Sequence, residues 1–181
     1  MIPNTDQIHK ALRLAAWAHH GQITKFGDPY ISHPVAAGFE LVAAQSAGEV
    51  FDIDLAVVCA ILHDVVEKSD VTVKMIKKDF GKRVASGVAA MTKNPGLPKK
   101  EQLRDSLIRI LDESREVAMA KMADRISSML PPPAEWSQDR IGRLLENAVM
   151  IRQMLGGASE YLAARLDGCI DRYAASLEKS A

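Results

Sequence analysis

The fold class is indicated most clearly by residues 55–67, which have the sequence LAVVCAILHDVVE. Apolar side chains would surround a helix formed by this segment on nearly every side, which predicts that the helix is buried. The same segment nevertheless carries His63, Asp64 and Glu67. Burying an unpaired charge is strongly unfavourable, so such groups are expected to pair with one another or to bind a metal.

The spacing of these three polar residues favours a shared site. His63 and Glu67 are four residues apart and Asp64 and Glu67 are three apart, which places their side chains near one face of a helix. An imidazole beside a carboxylate, with a second carboxylate one turn later, fits half of a metal site with an adjacent base. A His-Asp pair on a helix can also be a capped or salt-bridged surface feature, and spacing alone leaves both interpretations open.

Helical periodicity dominates the rest of the chain, and Gly and Pro residues interrupt it. His33 precedes Pro34 and is therefore expected to be extended, with Pro34 opening the second helix. No alternating strand pattern competes, so the sequence predicts one all-α domain over residues 1–181, a bundle of roughly eight to ten helices. The predicted helices cover residues 6–20, 34–47, 55–69 with Asp54 as its cap, 73–79, 83–91, 99–111, 116–130, 137–155 and 159–177.

The amino-acid composition bears on the binding partners and on the cellular compartment of the protein. Lys and Arg together number 23, as do Asp and Glu, so a nucleic-acid binder that neutralises phosphates is not indicated, whereas a small anionic ligand is compatible. Cys59 and Cys169 lie in apolar helical patterns, which suits a reducing compartment. The first residues lack the pattern of a signal peptide and the longest apolar run is too short to cross a bilayer, so we expect a cytoplasmic protein with no membrane partner. Homo-oligomerisation stays open.

Several short motifs support a metal site around His63 and Asp64 more strongly than residue spacing does. AHHGQ at 18–22, GDPYISHP at 27–34, ILHDVVE at 61–67, FG at 80–81, TK at 92–93, KKEQ at 99–102 and KMADR at 121–125 follow one another in order. Together they closely resemble the hydrolase domain of RelA/SpoT homologues, an HD-type phosphohydrolase, over roughly residues 8–130. The resemblance implies an HD-domain helical bundle and a small stand-alone alarmone hydrolase.

By this resemblance, His33, His63, Asp64 and Asp124 match the family's metal ligands, and the metal would be Mn²⁺ or another divalent transition metal. Glu67 would orient the attacking water or remove its proton. The implied reaction is hydrolysis of the 3′-pyrophosphate of (p)ppGpp-like alarmones of the stringent response. For Asp124, a solvated helix face is the alternative interpretation, and the ligand role is preferred.

Candidate substrate-binding residues are Lys25, Lys99, Lys100, Lys121 and Ser128. Lys25 and Lys121 each lie within a few residues of a proposed metal ligand, which favours them over ordinary solvated lysines. Tyr30 is expected to pack against its neighbours or to line the nucleotide pocket.

Some positions depart from the family pattern. Thr24 replaces an arginine and Lys68 replaces the aspartate that normally follows Glu67, while Ser127 and Ser128 replace a histidine and an asparagine. These positions are expected to bind the substrate or to position the attacking water, whereas all four metal ligands match the family pattern. Metal-dependent hydrolysis would therefore be retained, with a different preferred substrate or a different base. A phosphatase for another nucleotide or dinucleotide is a second hypothesis. A catalytically weak sensor that binds a metal and an alarmone is a third.

Overall fold

The computed structural model describes residues 4–178, so both ends of the predicted 1–181 domain lie outside the described residues. Within that range the chain forms nine α-helices and one short 3₁₀ segment, which confirms the all-α class and the predicted number of helices. The helices are α1 (Thr5–Ala18), α2 (Ser32–Ser46), α3 (Ile53–Leu62), α4 (Val65–Lys68), α5 (Val73–Met91), α6 (Lys99–Leu111), α7 (Arg115–Ser127), α8 (Gln138–Leu155) and α9 (Glu160–Glu178), with the 3₁₀ turn at Gly156–Ala158.

The central helix α3 is buried on every side, as its sequence predicts. Every residue of α3 except Asp54 is buried, and the helix packs against α1, α2, α5 and α7. The predicted cap is wrong, because Asp52 rather than Asp54 accepts the hydrogen bond from the backbone N–H of Leu55. Since α3 is surrounded by other helices, the polar groups at its carboxyl end are held inside the bundle.

The helix predicted to continue to residue 69 instead stops at Leu62 and resumes at Val65 as α4, after a break of two residues. At the break, Asp64 has φ −103° and ψ −7°, away from the dihedral angles of a regular helix. The interruption redirects the two side chains that follow the apolar run. His63 and Asp64 therefore project from a bend and not from the side of a continuous helix.

The second helix also starts differently from the prediction. It begins at Ser32, so His33 lies in its first turn and is not extended. Pro34 is tolerated there because the first backbone N–H groups of a helix need no partner inside it, so the missing donor costs nothing. A hydrogen bond from His33 N to Tyr30 O (3.1 Å) leads the chain into this turn.

The remaining helix boundaries mostly follow the sequence. α5 joins two predicted helices across a kink at Gly81, whose φ of 86° is readily adopted only by glycine. α7 ends at Ser127, three residues before the predicted end. Cys59 and Cys169 are free and buried, as expected for small apolar side chains. None of the helices between residues 4 and 178 is both long enough and apolar enough to span a bilayer.

Candidate active site

The four predicted metal ligands meet where α2, α7 and the bend after α3 converge. His33, His63 and Asp64 present ligand atoms within 4.8 Å of one another. Asp124 Oδ1 lies 3.2 Å from His33 Nε2 and 3.4 Å from His63 Nε2. Neighbouring ligands on one metal ion are separated by roughly 3 Å, given metal–ligand bonds of about 2.1 Å. The donor atoms therefore have the spacing that a single ion requires.

Both imidazole rings are turned so that Nε2 faces the cluster. His63 Nδ1 lies 2.7 Å from the carbonyl oxygen of Ala60, to which it donates. His33 Nδ1 lies 3.0 Å from Ser127 Oγ, and the two Nε2 atoms are 3.2 Å apart. With the Nδ1 atoms protonated, the Nε2 lone pairs point at each other and at the carboxylates. Such a convergence of acceptor atoms is unfavourable unless a cation lies among them, either a proton on one ring or a metal ion, so the residues present fit a metal ion.

The electrostatics of the cluster agree with this fit. Burial alone would lower the pKa of His63, but the carboxylates of Asp64 and Asp124 outweigh burial and raise that pKa to about 10. Burial opposes ionisation of Asp64, yet His63 holds the pKa of Asp64 below its ordinary value. The pKa of Asp124 is lowered in the same way by Lys121 and His63 against the effect of burial. The two carboxylates therefore stay ionised, balanced in the metal-free protein by the proton on His63 and by the Lys121 ammonium. A metal ion in place of that proton would balance them equally well.

Two further side chains hold the carboxylate ligands. Lys121 Nζ lies 2.7 Å from Asp124 Oδ2, and both residues are buried, which excludes the solvated-face interpretation of Asp124. Tyr30 donates a hydrogen bond to Asp64 Oδ2. Burial and the nearby Asp64 raise the pKa of Tyr30, so its hydroxyl stays protonated and remains a donor. The partnership of Tyr30 with Asp64 goes beyond the packing or pocket-lining role expected from the sequence.

Lys68, the residue that replaces the family's aspartate, turns toward the metal cluster. Its Nζ lies 3.8 Å from Asp64 Oδ2 and 5.2 Å from the centre of the Tyr30 ring. The ammonium group is thus placed against a proposed metal ligand, on the wall of the cavity described next.

A cavity of about 630 Å³ opens above the cluster. It is lined by three proposed ligands (His33, Asp64, Asp124), by the predicted residues Thr24, Lys25, Glu67, Lys68, Lys121 and Ser128, and by Tyr30, Arg125, Ser127 and Asn147 among others. Lys99 and Lys100 do not line it. They are exposed and border an adjoining cavity, which shares Glu67, Lys93, Leu103 and Asn147 with the first.

Lys25 and Thr24 shape the mouth of this cavity. Lys25 is exposed overall, yet its Nζ lies 5.2 Å from the Phe26 ring and 5.3 Å from the Trp136 ring. Loss of hydration there, together with Arg125 and Arg140, lowers the pKa of Lys25 to about 8. Thr24 Oγ1 accepts hydrogen bonds from the backbone N–H groups of Phe26 and Asp28 and so organises the loop.

The partner of Glu67 could not be predicted from the sequence. Lys93 holds both oxygens of Glu67, through Nζ at 2.7 Å and through its backbone N–H at 3.2 Å. The motif Thr92-Lys93 is visible in the sequence, but its spacing gives no link to Glu67. Arg125, Ser127 and Asn147 are likewise brought to the cavity by the fold.

The fold and these residues define an HD-domain protein. The family model of the HD domain matches residues 11–155, so the chain belongs to that family. The mouse and human proteins named guanosine-3′,5′-bis(diphosphate) 3′-pyrophosphohydrolase MESH1 are each 30% identical to it over 166 residues, 88% of this chain and 90% of each relative. Within the HD family, the chain therefore belongs with the MESH1 proteins, which confirms the predicted resemblance.

A solved structure has the same fold. It is described as a metazoan ortholog of SpoT that hydrolyses ppGpp and plays a role in starvation responses. The alignment has a TM-score of 0.80 and covers 95% of this chain and 97% of that one, at 24% identity. This likeness confirms the helical HD architecture.

Proposed function

We propose that this protein is a metal-dependent hydrolase that removes the 3′-pyrophosphate from guanosine 3′,5′-bis(diphosphate) and related alarmones. The observation that carries the proposal is the four-ligand cluster, three of whose members line a cavity of about 630 Å³ that also has cationic side chains on its walls. Membership in the family of MESH1 pyrophosphohydrolases supports the substrate class. A small phosphorylated nucleotide is the partner that such a cavity suits.

His33, His63, Asp64 and Asp124 would hold the metal. Two imidazole nitrogens and two carboxylate oxygens suit a divalent transition metal, and we propose Mn²⁺ because the family resemblance implies it. When bound, the ion supplies charge for the pyrophosphate oxygens and makes a coordinated water more acidic.

Glu67 is proposed to orient the attacking water or accept its proton. Its carboxylate lies on the cavity wall, and Lys93 holds it there by one side-chain and one backbone hydrogen bond. A carboxylate has roughly four acceptor positions, so these two bonds leave capacity for a water. The fixed orientation would reduce the reorganisation needed when the water approaches the substrate.

Lys25 is proposed to contact a substrate phosphate from the cavity mouth. With a pKa near 8, Lys25 is mostly charged at neutral pH. Lys121 also faces the cavity, but its ammonium is already paired with Asp124 at 2.7 Å. Its charge therefore mainly stabilises the ionised Asp124 and contributes less to the binding of a phosphate. Ser128, Lys99 and Lys100 remain proposed contacts for more distant parts of the nucleotide.

A second candidate function is favoured by Lys68. Its ammonium lies 3.8 Å from Asp64, where it cannot accept a proton while charged. This arrangement favours binding of a phosphate over activation of a water, as expected for a phosphatase of another nucleotide or for a weakly active sensor.

The buried free cysteines fit a reducing environment, and we propose a cytoplasmic location.

The test is a turnover screen of phosphorylated nucleotides with and without Mn²⁺, with the released product identified as phosphate or pyrophosphate. We expect pyrophosphate from guanosine 3′,5′-bis(diphosphate) and loss of that activity in Glu67→Ala. Glu101→Ala, which removes an exposed carboxylate on α6, is the matched control and should keep full activity. If no nucleotide turns over above the metal-free background, the hydrolase assignment is wrong and the sensor function remains.

A further inference from the structure

Ser127 lies at the last position of α7, three residues after Asp124, and its hydroxyl has two partners. Ser127 Oγ is 2.9 Å from the backbone carbonyl of Asp124 and 3.0 Å from His33 Nδ1. A hydroxyl has one proton to donate, and a carbonyl oxygen can only accept. Ser127 therefore donates its hydroxyl hydrogen bond to the backbone carbonyl of Asp124, and Ser127 Oγ accepts a hydrogen bond from the protonated Nδ1 of His33.

This pair of bonds determines which nitrogen of His33 is available to a metal. With Nδ1 protonated, the neutral ring has its lone pair on Nε2, which faces His63 and Asp124 at 3.2 Å each. The same hydroxyl connects a ligand carried by α2 to the turn of α7 that carries another ligand. The second imidazole, His63, is oriented in the corresponding way by the carbonyl of Ala60.

We propose that Ser127 is a positioning residue that fixes the tautomer and ring orientation of His33 and thereby sets the metal affinity of the site. Hydrogen-bond partners of ligating histidines typically contribute about 10- to 100-fold to metal affinity. The sequence predicts that this departure from the family pattern affects substrate and water handling, whereas the geometry assigns it to the metal. The inference rests on the metal site of the proposed function but not on any particular substrate.

The neighbouring Ser128 provides a matched control for metal binding. It is also a serine at the end of α7 and lines the same cavity, but its hydroxyl donates to the carbonyl of Arg125 at 2.9 Å. Within the described residues the Ser128 hydroxyl has no hydrogen bond to any of the four proposed ligands. The backbone N–H of Ser128 donates to the carbonyl of Asp124 at 3.2 Å, and an alanine at this position keeps that bond. Removing its hydroxyl should therefore leave the metal affinity unchanged.

The experiment measures Mn²⁺ affinity by titration calorimetry and by electron paramagnetic resonance of the free ion, without any nucleotide. We expect Ser127→Ala to bind Mn²⁺ about 10- to 100-fold more weakly than the wild type, and Ser128→Ala to bind it equally well. Ser127→Thr and Ser127→Val have the same shape and differ in the hydroxyl, so Thr should retain the affinity and Val should lose it. This pair keeps the test decisive if Ser127→Ala is poorly folded.

Equal Mn²⁺ affinity of the Thr and Val variants, or of Ser127→Ala and the wild type, would overturn the proposal. Nitrogen-15 shifts of the His33 ring in the Zn²⁺-loaded protein supply a second readout. The protonated Nδ1 should be visible in the wild type and in Ser127→Thr, and its shift should move in Ser127→Val. Because no substrate is added, a wild-type protein that binds Mn²⁺ but hydrolyses nothing would refute the proposed function and leave this inference intact.

Discussion

The metal-free protein should lose stability as the pH rises above about 6.5, because of His63. The ordinary histidine pKa of 6.5 applies to the unfolded chain, whereas the buried ring between Asp64 and Asp124 has a pKa of about 10. Between these two values the folded protein holds a proton that the unfolded chain has released. The stabilisation is therefore complete below pH 6.5 and disappears as the pH rises toward 10.

The size of the effect follows from the same linkage. One extra proton in the folded state lowers the free energy of unfolding by about 1.4 kcal/mol per pH unit. Lys25 has its pKa lowered to about 8, so above that pH it acts in the opposite sense, because its unfolded form then holds the extra proton. Between pH 6.5 and 8 the opposing contributions of Lys25 and of His19, whose pKa burial lowers, are small. Over this window His63 should decrease the free energy of unfolding by about 2 kcal/mol.

Urea unfolding in the presence of a chelator, at closely spaced pH values across this window, measures the decrease. His63→Gln removes the titrating ring and should flatten the profile, while His9→Gln, which replaces an exposed histidine on α1, should leave it unchanged. With saturating Mn²⁺ the slope should reverse, because the ion and the proton compete for His63 Nε2 and metal affinity rises as the proton leaves. An identical slope in the wild type and His63→Gln would refute the reasoning.

Three further predictions concern single residues of the site. Asp64→Ala should retain almost no metal after purification without chelator, against about one ion per chain in the wild type, and should show no Mn²⁺-induced rise in Tm; full metal loading would contradict its role as a ligand. Lys25→Ala should raise KM with little change in kcat, because a point charge on a phosphate serves mainly binding, and an unchanged KM would place Lys25 outside the substrate site. Lys68→Asp should raise kcat on guanosine 3′,5′-bis(diphosphate), since a proton-handling group typically contributes on the order of 10²–10⁴ in rate, and no gain would indicate a site adapted to another molecule.

The sequence predicts the central helix well because its burial is a local property. Apolar residues on every side of α3 have no other place in a soluble bundle, and the structure buries them. The bend after Leu62 cannot be predicted from such periodicity, because Asp64, which departs from regular helical angles there, has its partner Tyr30 far away in the sequence. His33 was wrongly predicted as extended because the preference before proline is weaker than the packing that places it in the first turn of α2.

The partners of the site residues could not be predicted for a related reason. Tyr30 and Asp64 are 34 residues apart, Glu67 and Lys93 are 26 apart, and the Ser127 hydrogen bond to a ligand spans 94 residues. Helical periodicity relates residues three or four positions apart and says nothing about such pairs. Spacing alone leaves the surface interpretation of His63 and Asp64 open, so the prediction of the four ligands depends on the resemblance to a family.

The departures from the family pattern also change meaning once their neighbours are known. Lys68 lies 3.8 Å from Asp64 and Lys121 lies 2.7 Å from Asp124, so each carboxylate ligand has an ammonium group beside it. Lys121 belongs to the motif shared with the family, whereas Lys68 adds a cation that the family pattern lacks. A cation beside a ligand opposes the binding of a metal ion, because like charges repel more strongly in a partly buried site. We therefore expect Lys68→Asp to tighten Mn²⁺ binding as well as to raise kcat. Mn²⁺ affinity and kcat at saturating Mn²⁺ should be measured separately in that variant. A gain in affinity alone would mean that weak metal binding limits the wild type, whereas a gain in kcat at saturating Mn²⁺ would mean that the wild type lacks a base.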